Sequence, residues 1–279
     1  MTSACTKPAG AGSAPKHAVR LRVASCLAPH LCAFYRDVAC ALGDLLGEPA
    51  FFVGDAAYEE LAEVDIAFVC SLAYLEHPEI AGRFEPVAAP VLAAPRYGDE
   101  PVYWSDVIVR ADSGLRGFAD LRGRSWAFNE PYSQSGHGIT RYHLTRLGAT
   151  QSYFSRVIEA GRHDRCIGLV LSGEVDAAAI DSHVLETYFH AYPELELAMR
   201  VIDSLGPSPI QPVVVRRDLS RCRKDAIRAA LVDLGHHPHG RDLLRRALVA
   251  RFVAVDDSTY HPVRIMRDVA HAAGFAVLR

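Results

Sequence analysis

Residues 21–53 read LRVASCLAPHLCAFYRDVACALGDLLGEPAFFV. Leu21 to Cys26 is a short apolar run closed by Pro29, which suits a strand and its exit turn. Leu31, Phe34, Tyr35, Val38, Leu42 and Leu45 then recur at intervals of three and four, the spacing that lines one face of a helix. Gly47 and Pro49 stop that helix, and Ala50 to Val53 forms a second apolar run. Strand, helix and strand in this order make a βαβ unit, so the chain is expected to be α/β with a largely parallel sheet.

The alternation continues along the chain. Strands are expected at Asp65 to Cys70, Val87 to Ala93 and Tyr103 to Arg110, with a short helix from Tyr58 to Ala62. The Asp112-Ser113-Gly114 turn is a natural exit to a second series. That series has a helix near Phe118 to Leu121, a strand at Ser125 to Phe128 and a helix from about His137 to Leu147. It goes on with a strand at Arg156 to Glu159, a helix from Asp164 to Leu171 and a strand at Asp176 to Ile180. Leu205 to Pro212 carries three prolines, cannot be helical, and reads as a return crossing. A strand at Val213 to Arg216 and helices near Lys224 to Leu234 and Arg241 to Val249 follow. The expected division is a flexible tail over 1–18, one lobe from 19–110 with 207–279, and a second from 111–206. A hinge of this kind predicts a ligand cleft between the lobes.

Composition narrows the function. With 50% hydrophobic and 23% charged residues the chain can bury a sizeable core. A net charge of −3 with both signs interspersed supplies no basic face for a nucleic-acid backbone. The seven cysteines are odd in number and show no two-residue spacing, and they read as reduced, mostly buried thiols. Residues 1–16 contain no apolar run of signal-peptide length, and no run of about 18 apolar residues occurs that could span a membrane. Taken literally, these features point to the cytoplasm. No phosphate-loop, dinucleotide or zinc-protease motif is found. His236-His237-Pro238-His239 reads as a solvated turn, so neither a metal nor a cofactor is expected.

The stretch Phe128-Asn129-Glu130-Pro131-Tyr132-Ser133-Gln134-Ser135-Gly136-His137 lies between a predicted strand and a predicted helix. Small hydroxyl residues and a glycine at a helix start leave N–H groups pointing outward, and the helix dipole favours an anion there. Ser133 and Ser135 either cap the helix or donate to that anion. His163, after an Ala-Gly pair, is either a surface histidine at a helix start or a donor to an oxyanion. Asp181 is either an N-cap or an acceptor for a ligand ammonium or a protonated phosphonate oxygen. Ser71, Tyr74 and Tyr103 stand at strand ends on the first lobe, where the tyrosines either pack or close over the ligand.

This Ser-x-Ser-Gly segment resembles the anion-binding loop of the phosphonate/phosphite/phosphate-binding proteins of ABC importers. Val64-Asp65-Ile66-Ala67-Phe68-Val69, Tyr103 to Val109, Phe118 to Gly123, Ala160-Gly161-Arg162-His163-Asp164, Gly173 to Ala177, Phe252-Val253 and Tyr260 to Arg264 are similar to that family in the same order, over about residues 20 to 265. The resemblance implies a type II periplasmic-binding-protein fold, a small anionic ligand held on Ser133, Gln134, Ser135, Gly136 and His137, an extracytoplasmic location and an ABC permease as partner. Gln134 stands where the family carries a hydroxyl residue, which alters the donor geometry. No catalytic residue is assigned and a monomer is expected. A cytoplasmic enzyme or ligand sensor on the same fold, similar to those of menaquinone or thiamin-pyrimidine synthesis, is the alternative.

Overall fold

The computed structural model describes residues 2–4 and 20–278. In chain order the strands are β1 (Thr2–Ala4), β2 (Leu21–Ser25), β3 (Ala50–Val53), β4 (Ile66–Phe68), β5 (Phe84–Leu92), β6 (Val102–Arg110), β7 (Ser125–Phe128), β8 (Arg156–Glu159), β9 (Ala177–Asp181), β10 (Met199–Pro209), β11 (Val213–Arg216) and β12 (Val249–Ala254). The helices are α1 (Cys32–Leu46), α2 (Ser71–Glu76), α3 (Ile139–Arg146), α4 (His163–Leu171), α5 (Ser182–Ala191), α6 (Leu195–Ala198), α7 (Arg221–Asp233), α8 (Pro238–Arg246) and α9 (His261–Ala272). Apart from Thr2–Ala4, which adds a strand, the tail expected over 1–18 lies outside the described residues.

The chain forms two compact α/β units. The first runs to Pro101 and resumes over Ile210–Thr259; the second comprises Val102–Pro209 and the segment from Tyr260. The first unit holds a seven-stranded sheet in the order β1-β3-β2-β4-β11-β5-β12. β2 runs parallel to β3 and β4, as the βαβ pattern predicts, but β11 is antiparallel to β4 and β5, and β12 is antiparallel to β5. The sheet is therefore mixed rather than largely parallel, because its last strands arrive after the excursion into the second unit. Helix α1 buries Phe34, Tyr35, Val38 and Leu42 and ends at Gly47, whose φ of 70° is the left-handed conformation that glycine adopts without strain.

The second unit holds the sheet β10-β6-β9-β7-β8. Its central strand β9 reads Ala-Ala-Ala-Ile-Asp and is buried throughout, since small residues let helices cover both faces. One face carries Val107 and Val109 of β6, Ala177 and Ala179 of β9 and Trp126 and Phe128 of β7 into a core with Phe118, Ile139, Leu144, Tyr153 and Phe154. Trp126 stacks on Phe154 at 4.7 Å between ring centroids.

Three boundaries differ from the sequence expectation. Strand β6 lies in the second unit and not the first, because it pairs with β9 on one edge and β10 on the other. The Leu205 to Pro212 stretch is not all crossing: β10 extends to Pro209, and its bulge between Leu205 and Ser208 accommodates proline on an edge strand. The C-terminal segment also joins the second unit, where Arg141 of α3, 2% exposed, donates to the carbonyls of Ala276 at 2.6 Å and Phe275 at 3.3 Å and to His271 Nε2 at 3.0 Å. Replacing Arg141 by methionine leaves these buried acceptors without their donor. Arg141→Met is expected to lose about 2–4 kcal/mol of unfolding free energy, read as a lower denaturant midpoint at unchanged slope.

Candidate functional site

In the second unit β7 ends at Phe128 and the chain turns through Asn129 to Tyr132 before Ser133 caps the helical segment. Ser133 Oγ accepts the Gly136 N–H at 3.1 Å. The first turn, Gln134–Gly138, is wide: the N–H groups of Gly138 and Ile139 each reach back five residues, to the carbonyls of Ser133 and Gln134. Such π turns inside helices are often associated with functional sites. Sequence periodicity had no signal for this one.

The predicted residues Ser133, Gln134, Ser135 and His137 are all 3% exposed or less. Ser135 Oγ lies 3.0 Å from His163 Nε2 and 3.3 Å from Ser133 Oγ, so both serines and the first residue of α4 form one polar chain. The Gln134 amide is directed elsewhere. Its Nε2 donates to Ser208 Oγ at 3.2 Å and to Met266 Sδ at 3.3 Å, which ties the turn to β10 and α9. Ser208 and Met266 were not singled out from sequence, because long-range pairing brings them here and no local motif marks them.

Gly136 is needed for packing. A β-carbon there would stand 2.1 Å from Asn129 Oδ1, and Asn129 O in turn accepts the Gly161 N–H at 2.6 Å, two residues before His163. His137 has a structural engagement. Its ring stacks on Phe128, and since a carbonyl can only accept, Nδ1–H donates to Pro131 O at 2.7 Å. Burial, reinforced by the nearby Arg141 charge, pushes its pKa down to about 3, so near neutrality the imidazole is uncharged.

Asp181 ends β9, is 3% exposed and caps α5 by accepting from His183 N at 2.8 Å and Val184 N at 3.3 Å. It shares a sheet face with Ala177 and Ala179, and strand register sets it opposite Ser105. Tyr103 is fully buried on β6 and in register with Ser208. It therefore belongs to the second unit and not to the first lobe, where the sequence reading put it.

Of the predicted residues in the first unit, Ser71 opens α2 and is fully buried, and its hydroxyl has no hydrogen-bond partner among the described residues. Tyr74 donates its phenol to Asp257 at 2.5 Å. Asp257 was not anticipated, because 183 residues separate it from Tyr74. Among the described residues no group of three or more His, Cys, Asp or Glu is placed to hold a metal ion. Cys26, Cys32, Cys70, Cys166 and Cys222 form no disulfide, whereas Cys40 is disulfide-bonded, which corrects the expectation that the cysteines are reduced.

The periplasmic substrate-binding protein family of phosphonate ABC transporters matches residues 59–260, more than two thirds of the chain. A phosphonates-binding periplasmic protein of Escherichia coli (strain K12) is 28% identical over 247 residues, covering 85% of this chain and 71% of that protein. A binding-protein component of an ABC phosphonate transporter from Pseudomonas aeruginosa shares the fold with a TM-score of 0.79, at 20% identity over 91% of this chain and 87% of that one. So does a protein of Prochlorococcus marinus (MIT 9301) solved in complex with methylphosphonate, with a TM-score of 0.77, 16% identity and coverage of 90% and 97%.

Proposed function

The chain belongs to the family of periplasmic substrate-binding proteins of phosphonate ABC transporters, and from that premise we propose that it captures a phosphonate-type oxyanion on the Ser133–His137 turn. Its fold is that of the type II periplasmic-binding proteins. The observation that carries the site assignment is the polar chain of Ser133, Ser135 and His163 at the start of a helix, all within one unit. Each of those hydroxyls can turn its hydrogen toward an anion, and the helix dipole adds to the attraction. His163 can donate from Nε2 to the same oxygens. Gln134 holds the turn in place through Ser208 and Met266, so its role is positioning, and the hydroxyl donors of the turn are reduced to two. Ser71, Tyr74, Tyr103, Asp181 and Gly136 remain our candidates for the rest of the ligand's surroundings.

The enzyme and sensor alternatives draw no support, since the relatives are substrate-binding components of transporters. The family is periplasmic, and among the described residues no helix is long and apolar enough to cross a membrane. We place this chain outside the cytoplasm as well. A disulfide at Cys40 fits an oxidising compartment, against the cytoplasmic reading of the cysteines. Its partner is then an ABC permease, to which one chain delivers one anion.

Thermal unfolding against methylphosphonate, phosphite, phosphate, 2-aminoethylphosphonate, sulfate and a set of carboxylates tests the proposal. A ligand at a hundred times its dissociation constant stabilises the folded state by about 2.7 kcal/mol, a rise of several degrees in Tm. The expected result is a rise with a phosphorus oxyanion that Ser135→Ala removes. No rise with any of them at millimolar concentration overturns the ligand class.

A further inference from the structure

Five serines of the second unit are buried: Ser105, Ser133, Ser135, Ser182 and Ser208. Four of their hydroxyls are engaged. Ser133 and Ser135 join the polar chain, Ser208 receives the Gln134 amide, and Ser182 Oγ accepts the Trp104 N–H at 3.1 Å. Ser105 differs: it is 1% exposed, and its Oγ has no hydrogen-bond partner among the described residues.

Its place in the sheet gives that hydroxyl a direction. Along β6 the side chains alternate, and Val107 and Val109 enter the core beneath α3. Tyr103 and Ser105 therefore share their face, nearer the end of the strand where the helical turn begins. Register places Ser105 opposite Asp181 on β9 and Leu205 on β10, and places Tyr103 opposite Ser208, the residue that holds Gln134. Ser105 thus lies one step along the strand face from the tyrosine aligned with the anion turn's anchor. Alanine at this position would pack as well without burying a polar group that costs free energy when unmatched. A hydroxyl kept there has a use when a ligand is bound.

We propose that Ser105 is a further ligand-binding residue, whose hydroxyl donates from the sheet to the oxyanion held by Ser133 and Ser135. The inference rests on the anion-binding reading of that turn. Ser105 replaces the hydroxyl donor lost to the positioning role of Gln134: two donors come from the turn and one from the strand beneath it. It also accounts for the unpartnered hydroxyl, which the loop donors alone leave unexplained.

The test is calorimetric titration of the full chain with methylphosphonate, phosphite and phosphate, for the wild type, Ser105→Ala and Ser105→Cys, alongside the Tm of each ligand-free protein. A lost hydrogen bond to a charged oxygen weakens binding roughly ten- to a hundredfold. Ser105→Ala is expected to show that loss with a ligand-free Tm equal to or above the wild type's, and Ser105→Cys, a weaker donor, a loss of the same sign. Wild-type affinity in a folded Ser105→Ala overturns the role of Ser105 and leaves the anion turn standing. A wild type that binds none of the three anions overturns the ligand class and this inference with it.

Discussion

Gly136→Ala is expected to weaken phosphorus-oxyanion binding by on the order of a hundredfold or more while the protein stays folded. The added methyl group would sit 2.1 Å from Asn129 Oδ1, 3.2 Å from Asn129 Cγ and 3.2 Å from Asn129 N, so Asn129 must move as a residue and not only at its amide tip. Asn129 cannot move alone, because its carbonyl accepts the Gly161 N–H and so holds the turn that presents His163. One methyl group therefore shifts both halves of the Ser135–His163 contact, and sub-ångström misplacement of donors around an anion is costly. Calorimetry on Gly136→Ala and on the double variant Asn129→Gly/Gly136→Ala provides the check. Removing the Asn129 side chain clears its two nearest atoms, so the double variant recovers part of the affinity, a coupling that additive effects would not give. Unchanged affinity in Gly136→Ala would show that the turn does not carry the ligand.

The parts of this molecule legible in its sequence are those dictated by local chemistry. Strands β3, β7, β8 and β11 fall where short apolar runs meet turn residues, and α1 follows its apolar spacing to Gly47. Ser133 as cap and the helix behind it are visible because hydroxyl, glycine and periodic apolar residues sit within a few positions. What was not legible depends on partners far along the chain. Tyr103 reads the same on either unit, and only its pairing with β9 and β10 places it. Helix α9 has no nearby residue to announce that Arg141 will anchor the segment after it, 130 or more positions away. Gln134 looked like an altered ligand donor because its acceptors, Ser208 and Met266, are remote in sequence. The hydrogen-bond chemistry of each side chain was readable, whereas the choice among its partners was a property of the fold.

The same distinction governs His137, which sequence reasoning grouped with the anion ligands. In the folded chain its pKa is about 3, against 6.5 for the unfolded residue, because burial and then the nearby Arg141 charge disfavour a positive charge on the ring. Below about pH 6.5 the unfolded state then binds a proton that the folded state refuses. Stability tied to His137 is therefore complete above about pH 6.5 and is lost progressively as the pH falls toward 3, at up to about 1.4 kcal/mol per pH unit and on the order of 4 kcal/mol over the window. His143, whose pKa burial also lowers although Asp203 opposes it, acts in the same sense and is unchanged by mutation at 137. His137→Phe retains a ring against Phe128 and gives up the bond to Pro131, at a cost of about 1–2 kcal/mol near pH 8. Denaturant titrations of both proteins from pH 8 to pH 4 are expected to converge and then cross, the variant becoming the more stable in acid. Parallel curves would mean that His137 titrates normally in the folded state. With the imidazole neutral, the attraction for an anion near pH 7 comes from the helix start and the hydroxyl donors, and His137 serves as the ring and N–H that fix the turn's entry.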